Sequence, residues 1–165
     1  MENSPIFVTA GADRFQVLHQ AFGLKPIDFK VSAEDSDGRL FIIEHTNNHR
    51  GGPPRHIHSA QEEWFYVLEG EYVIEVGETS FQLTTGDAVL APRAVPHVWA
   101  CVGSGHGRLL IVFQPAGQME DFFMESSLLD TLPDPEKLAS LFARHGMTLV
   151  GPPLPAGQET DKART

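Results

Sequence analysis

The middle of the chain alternates short apolar runs with turn residues, and this pattern limits the folds that it can adopt. Runs rich in Ile, Val, Phe and Tyr recur about every ten residues, with Gly, Pro or Asp between them. Short strands separated by regular turn signals are typical of an all-β sandwich or barrel. We predict strands at residues 28–32, 40–45, 64–68, 72–76, 79–83, 88–91, 95–101 and 107–114.

Two short helices are predicted to follow the strands. Residues 119–124 form the first. The second begins after Asp134, a residue type that caps helix N-termini, and starts with Pro135. It ends before Gly146, because glycine readily terminates helices. Its apolar stripe, which we expect to pack against the strands, consists of Leu138, Leu141 and Phe142.

These elements divide the 165 residues into four parts. An N-terminal extension (residues 1–26) precedes a barrel (residues 27–116), and a C-terminal helical segment (residues 117–154) follows it. Residues 155–165 are expected to form a flexible tail, because they have little apolar surface to bury. Within the extension, residues 15–21 fit either a short helix or part of an edge strand. A chain of this length is expected to form one domain core.

Composition argues against several functional classes. Acidic residues outnumber basic residues by 22 to 12, and the formal net charge of −10 disfavours nucleic acid and anionic lipid as partners. The longest strongly apolar runs, such as residues 109–113, are far shorter than the roughly 20 residues of a membrane-spanning helix. Cys101 is the single cysteine, and residues 1–16 lack a basic region followed by an apolar core. We therefore expect a cytoplasmic protein without an intrachain disulfide.

Four residues with metal-binding side chains occur in two neighbouring stretches of the sequence. His56 and His58 are two residues apart, so on a strand both imidazoles face the same side. A turn then brings the chain back at Glu63, and a third imidazole comes from His97. Three imidazole nitrogens and one carboxylate oxygen suit a divalent transition ion, whereas a calcium site needs mostly oxygen ligands. We predict one bound ion of Fe, Mn, Ni, Cu, Co or Zn.

Glu62 is a competing carboxylate for this site. Strand alternation puts Glu63 on the same face as Phe65 and Val67, which are expected to point inward, whereas Glu62 lies in the turn. Glu63 is therefore the preferred ligand.

The spacing of these residues resembles the two sequence motifs of the cupins. Either Gly51 or Gly52 begins the first motif here, and four or three residues precede His56 where the motif has five. In the second motif, Ala94 stands in place of a glycine and Cys101 in place of an asparagine. Ala94 must therefore avoid a positive φ or tolerate strain. The residues that match are His56, His58, Glu63, Gly70, Gly86, Pro92 and His97.

Within the cupins, residues 63–70 and 145–154 most resemble small single-domain proteins similar to quercetin dioxygenase. The resemblance implies a double-stranded β-helix (a jelly-roll barrel) that holds the metal inside, with the ligands on adjacent strands. It also implies a homodimer. It leaves the activity open, because cupins include dioxygenases, isomerases, epimerases and sensors without catalysis.

Several other side chains are assigned by strand parity. Phe65 and Trp99 share the inward parity of the predicted ligands, and we expect them to form an apolar wall of a substrate pocket. Cys101 is expected to pack in the core and Arg55 to be exposed, while Arg93 takes a surface role or meets an anionic substrate. The histidines expected at the surface or as helix caps are His19, His45, His49, His106 and His145.

The leading functional hypothesis is a metal-dependent oxidoreductase of the dioxygenase type. Its substrate would be a small ionisable molecule with an enolic, phenolic or diketone group. The resemblance to quercetin dioxygenase implies that Glu63 is both a ligand and the catalytic base toward a substrate hydroxyl. The alternatives are a metal-dependent isomerase or lyase and a non-catalytic protein that binds a small molecule.

Overall fold

Two antiparallel sheets make up most of the protein, whose computed structural model describes residues 5–23 and 26–155. Helices α1 (Met119–Ser127) and α2 (Pro135–Arg144) follow the tenth strand. The strands are β1 (His19–Gln20), β2 (Pro26–Val31), β3 (Phe41–Asn47), β4 (Arg55–His58), β5 (Glu62–Glu69), β6 (Glu71–Val76), β7 (Thr79–Thr84), β8 (Ala88–Ala91), β9 (His97–Cys101), β10 (Gly107–Gln114) and β11 (Met147–Gly151).

The order of the strands brings distant parts of the sequence together. The six-stranded sheet runs β1-β2-β3-β10-β5-β8, and the five-stranded sheet runs β11-β4-β9-β6-β7. Strand β10 thus lies between β3 and β5, so side chains from three separate stretches of sequence share one inner face. The all-β prediction with short C-terminal helices is confirmed.

The pairing register of β10 with β3 and β5 determines how far along the strands the inward-facing side chains of the six-stranded sheet lie. Phe113 pairs with Glu63 on β5, while Leu109, four residues earlier on β10, pairs with His45 on β3 and Val67 on β5. Leu109 and Phe113 are at most 1% exposed. Because alternate residues of a strand face the same side, Glu63 and His45 point into the space between the sheets at different levels.

All eight predicted strands are present, and their ends differ from the prediction by at most two residues. Of the two structures predicted for residues 15–21, a short helix or part of an edge strand, the edge strand is the one observed. It consists of His19–Gln20, which pairs with β2 at the edge of the sheet. Helix α1 continues to Ser127, three residues beyond the prediction, and the hydroxyl groups of Ser126 and Ser127 donate to the carbonyl of Phe123. These bonds satisfy polar side chains within the last turn.

Strand β11 was not predicted from the sequence. It lies within residues 117–154, which were assigned as helical, and it pairs Met147 with His58 and Leu149 with His56 on β4. A five-residue segment directly after a helix carries little periodic signal of its own. Pairing with the strand that carries two of the predicted ligands stabilises it as a strand.

Helix α2 confirms the predicted capping. Asp134 Oδ1 accepts a hydrogen bond of 3.0 Å from the amide of Lys137, and Pro135 is the first helical residue. Gly146 follows the C-cap with a φ of 77°. The buried residues of the helix are the predicted stripe of Leu138, Leu141 and Phe142.

Arg55 differs from its prediction. The sequence predicted an exposed side chain, but Arg55 is half-buried and pairs with Glu75 on β6. Antiparallel pairing of β4 and β6 with β9 brings the two residues close.

Two further expectations concern the ends of the chain and membranes. Helices α1 and α2 have 9 and 10 residues, and no helix in the described ranges is long and apolar enough to cross a membrane. The flexible tail predicted for residues 155–165 lies, apart from Pro155, outside the described residues.

Candidate metal centre

Three strands bring the four predicted ligands together. His56 and His58 lie on β4 at the two buried positions of its alternating pattern, and His56 pairs with His97 on β9. Glu63 is the second residue of β5, in the opposite sheet, and it points inward. All four side chains are buried, with residue exposures between 1% and 5%.

The ligand atoms of these residues converge on one point. Oε2 of Glu63 lies 2.8 Å from Nε2 of His97, 2.9 Å from Nε2 of His58 and 3.8 Å from Nε2 of His56. One ligand atom from each of the four residues lies within 4.8 Å of all the others. Atoms that bind a common ion at about 2.0–2.2 Å are separated from one another by roughly 3–4 Å. The donor set therefore has the right type and spacing for a divalent transition ion.

The outer nitrogens of two imidazoles are fixed by the backbone. Nδ1 of His56 donates to the carbonyl of Pro54 at 2.9 Å, and Nδ1 of His97 donates to the carbonyl of Val95 at 3.0 Å. This arrangement leaves Nε2 of each ring as the nitrogen with the lone pair, which is how proteins orient metal-binding histidines. Among the described residues, Nδ1 of His58 has no hydrogen-bond partner, and Nε2 lies 2.9 Å from Oε2 of Glu63 without the geometry of a hydrogen bond. A buried nitrogen without a partner is unfavourable unless a ligand occupies it.

The electrostatics of the cluster are dominated by burial and mutual contact. Burial favours a raised pKa for Glu63, but the three facing imidazoles outweigh it and hold the pKa well below its ordinary value. Burial lowers the pKa of His56. Burial also acts to lower the pKa of His97, but its contact with Glu63 outweighs this effect and raises the pKa. The carboxylate therefore stays ionised, as a metal ligand must.

The competing carboxylate is paired on the surface. Glu62 accepts two hydrogen bonds of 2.6 and 2.7 Å from the guanidinium group of Arg93. Because neighbouring strand residues face opposite sides, Glu62 points away from the three imidazoles that surround Glu63. Of the two roles proposed for Arg93, the structure shows the surface ion pair.

The turn before His97 has a left-handed residue. Ala94 has a φ of 62°, so the position keeps the conformation for which the cupin motif uses glycine. Its amide donates to the carbonyl of His58 at 2.8 Å. This hydrogen bond joins the turn to β4, and the strain at Ala94 is therefore located beside two of the candidate ligands.

A cavity of about 260 Å³ adjoins the cluster. His56, His58 and Glu63 form part of its wall. Of the two aromatic residues predicted for a pocket wall, Trp99 lines this cavity, whereas Phe65 is fully buried with its ring 6.1 Å from that of His97 and does not line it. The main apolar lining residues are Trp99, Ile111, Phe113, Phe122, Phe142 and Met147.

Sequence reasoning missed two histidines that line this cavity. His45 is buried, and His49 is exposed at the rim, so the expected surface or capping role was wrong for His45. The signal was available in the sequence, because His45 shares the parity of Phe41 and Ile43, both of which are fully buried on β3.

The remaining histidines have structural surroundings. His19 is buried against Phe29, contrary to the prediction, whereas His106 is exposed as expected. His145 is the C-cap residue of α2, as predicted, and its Nε2 lies 2.8 Å from a carboxylate oxygen of Glu125.

Comparisons with known proteins agree with the fold. Residues 41–113 match the profile of the family described as Cupin domain. KdgF from Halomonas sp. superposes with a TM-score of 0.56 at 17% identity, covering 68% of this chain and 94% of that one. An RmlC-like cupin from Shewanella frigidimarina also gives a TM-score of 0.56, at 24% identity, covering 72% of this chain and 96% of that one. The predicted cupin fold is confirmed, and these matches support the cupin superfamily.

One curated relative carries a functional description. The chain is 22% identical over 135 residues to an oxidoreductase of Arthrobotrys oligospora, with coverage of 74% of this chain and 51% of that protein. The chain thus spans about half the length of this relative.

Proposed function

We propose that this chain is a metal-dependent cupin oxidoreductase of the dioxygenase type, acting on a small molecule with an enolic, phenolic or diketone group. The observation that carries the proposal is the buried set of three imidazoles and one carboxylate in the wall of an apolar cavity. The relative described as an oxidoreductase supports the same general class of reaction.

The four predicted ligands would hold the ion. His56, His58 and His97 would each contribute a ring nitrogen, and Glu63 a carboxylate oxygen. When bound, the ion would supply a Lewis-acid centre for an ionised substrate oxygen and an open position for redox chemistry with O₂. Three neutral ligands and one anionic ligand leave a net charge of about +1 on a divalent ion, which favours an enolate or phenolate oxygen.

The protein itself would provide proton transfer and a dry environment. Glu63 would accept the proton of the substrate hydroxyl at a carboxylate oxygen, as a general base. A carboxylate is a weak base, so Glu63 is suited to relatively acidic hydroxyl groups, such as those of enols and catechols. The aromatic side chains around the cavity would exclude water and contact the apolar body of the substrate.

Metal analysis is the first test of the site. We would measure the metal content of protein purified without an affinity-metal step, together with a His56→Ala, His58→Ala double variant and an exposed-histidine control, His106→Ala. About one equivalent of a transition metal in the wild type and the control, but not in the double variant, is expected. Absence of metal from all three proteins after reconstitution would overturn the ligand assignment.

Oxygen uptake tests the reaction class. With metal-loaded protein and a panel of flavonols, catechols and β-diketones, we expect substrate-dependent O₂ consumption that is abolished in His58→Ala. Turnover that survives strict anaerobiosis and zinc substitution would instead identify an isomerase or lyase. Saturable binding without any product would identify a non-catalytic binding protein.

Three further expectations stay predictions. The homodimer is implied by the cupin resemblance, and its test is the molar mass in solution by light scattering. The cytoplasmic location and the division at residues 26, 116 and 154 rest on the sequence alone.

A further inference from the structure

Part of the cavity wall comes from helices α1 and α2, which lie beyond the residues 41–113 that match the cupin profile. We propose that Phe142, on α2, is a specificity-determining residue that limits the substrate to a compact molecule with at most one aromatic ring. This inference rests on the proposed function, because it assumes that the chelating end of the substrate binds at the Glu63 cluster. It narrows the substrate class to single-ring or acyclic enols, phenols and diketones, and it excludes flavonols and two-ring diketones.

The ring of Phe142 packs directly against a candidate ligand. Its centroid lies 5.6 Å from that of the His56 ring, and the two rings meet edge-on at an interplanar angle of 76°. Aromatic rings in contact have centroids about 4.5–7 Å apart, so no substrate group fits between these two. Phe142 is 3% exposed, and it lines the cavity that adjoins the cluster. The cavity wall therefore begins at the ligand itself, and a molecule that binds beside His56 meets Phe142.

Phe142 is held in place by both helices and by the ligand strand. The ring of Phe122 on α1 meets it edge-on, with centroids 5.0 Å apart. After α2 the chain continues into β11, where Leu149 pairs with His56 on β4. Because close-packed side chains resist rearrangement, a ligand too large for this space is rejected rather than accommodated.

The other side of this space has a comparable ring that belongs to the barrel. Phe113 also lines the cavity, and its ring lies 5.7 Å from that of His58. It stacks on Phe41 with centroids 5.9 Å apart and pairs with Glu63 along β10. Truncation of Phe113 would thus disturb the barrel core and Glu63 together. Phe142 lies on a helix outside the barrel, so its size can be changed without altering the strand that carries Glu63.

The size of the cavity sets the limit on the substrate. Its volume is about 260 Å³, and its wall is mainly apolar. Pockets that bind drug-sized molecules usually measure roughly 300–1,000 Å³, so this cavity suits a smaller ligand. Phe142→Ala removes one phenyl ring from the wall beside His56. The space left behind matches one further phenyl ring on the substrate.

Two β-diketones that share the same chelating group test this limit. Benzoylacetone has one phenyl ring, and dibenzoylmethane has a second phenyl ring in place of the methyl group. Each would be titrated into zinc-loaded protein without oxygen, and the absorption of the bound enolate would give its dissociation constant. The wild type is expected to bind benzoylacetone about tenfold more tightly than dibenzoylmethane, because the second ring clashes with the wall.

Variants of α2 assign this preference to one side chain. In Phe142→Ala the affinity for dibenzoylmethane is expected to rise about tenfold relative to that for benzoylacetone. Phe142→Leu is expected to give a smaller shift in the same direction, and it replaces the alanine variant if that does not fold. The matched control is Leu138→Ala, which truncates a buried residue of the same helix that does not line the cavity. It is expected to keep the wild-type preference. The melting temperature and zinc content of each variant report whether it is folded and loaded.

The outcomes separate this inference from the proposed function. A preference that is absent from the wild type, unchanged in the folded Phe142 variants, or shifted equally by Leu138→Ala would overturn the role of Phe142 alone. Loss of zinc from both Phe142 variants would also overturn it, because Phe142 would then support His56 rather than limit the substrate. Failure of both diketones to bind any zinc-loaded protein would overturn the role of Phe142 together with the proposed substrate class.

Discussion

Among the described residues, two buried carboxylates, Asp13 and Glu63, contact histidine, and their surroundings differ. Asp13 is satisfied mainly by backbone. One of its oxygens accepts from the amide of Phe15 at 2.7 Å, and the other accepts from the amide of Phe29 at 2.7 Å and lies 3.1 Å from Nδ1 of His19. These bonds tie residues before β1 to β2. Asp13 is therefore a structural group that holds the N-terminal segment onto the sheet.

Glu63 has the opposite kind of environment. It faces three imidazoles, and Nδ1 of His58 has no hydrogen-bond partner among the described residues. Both carboxylates are less than 10% exposed, so burial alone does not distinguish them. The difference lies in their hydrogen bonds. The oxygens of Asp13 accept hydrogen bonds from groups of the protein itself, whereas the ligand atoms around Glu63 converge on one point. We therefore infer a structural role for Asp13 and a ligand-binding role for the cluster around Glu63.

The largest expected effect is loss of metal from one cluster only. Glu63→Gln replaces an anionic oxygen ligand with a neutral amide, and we expect metal affinity to fall by more than about tenfold. Asp13→Ala is expected to bind metal as the wild type does. Competition with a chromophoric chelator measures both affinities. Equal losses in the two variants would show that the clusters do not have separate roles.

Stability is expected to show the reverse pattern. Asp13→Ala leaves the amides of Phe15 and Phe29 and the ring of His19 without their acceptor, and we expect it to lower the free energy of unfolding by about 3 kcal/mol. Metal-free Glu63→Gln is expected to change it by less than about 1 kcal/mol, because the amide keeps the volume of the side chain and its N–H group can donate to the imidazole nitrogens that face it. Urea denaturation of metal-free proteins measures both. A larger loss for Glu63→Gln would make Glu63 the structural group.

A third prediction concerns pH and the segment that Asp13 holds. Arg14 forms two hydrogen bonds of 2.9 Å with Asp35, and these lower the pKa of the Asp35 carboxyl. A carboxyl whose folded-state pKa is lowered stabilises the fold above its unfolded pKa, and this contribution is lost as pH falls through the folded value. We expect Asp35→Asn to cost about 1 kcal/mol at neutral pH.

The pH profile is the control for this effect. The stability difference between wild type and Asp35→Asn is expected to shrink below about pH 4, in denaturation curves measured from pH 7 downward. Metal content at neutral pH should be the same in both proteins. A difference that does not depend on pH would show that the carboxylate charge of Asp35 is not what stabilises this segment.

The smallest expected effect lies beside the metal cluster. Ala94 has a φ of 62°, which glycine adopts without strain. Ala94→Gly is expected to stabilise the protein by about 0.5 kcal/mol, because relief of strain exceeds the added chain entropy of the unfolded state. Thermal denaturation measures the gain, and metal content should not change. A loss of stability would show that the backbone here is not strained.

Much of the candidate site was predictable because it depends on local geometry. His56 and His58 share a face through strand alternation, and the same alternation separates Glu63 from Glu62. The structure brings these residues together with His97, as the spacing predicted. Parity applied to β3 would also have placed His45 inside, since Phe41 and Ile43 carry the signal.

Other features depended on partners distant in sequence. Strand β11 exists through its pairing with β4, and the buried amide oxygen of Asn47 on β3 accepts a hydrogen bond from the hydroxyl of Tyr72 on β6, in the other sheet. Neither contact can be predicted from the hydrophobic periodicity of the segments that form it.

The sequence by itself determined the strand pattern, the helix caps and the four candidate ligands, because alternation, turn chemistry and residue type act over a few neighbouring residues. Only the tertiary structure decided which buried polar groups are satisfied within the protein and which face the cavity. That distinction separates Asp13 from Glu63 and brings His45 into the site. It depends on the packing of two sheets whose neighbouring strands are far apart in the chain, and local sequence does not specify that packing.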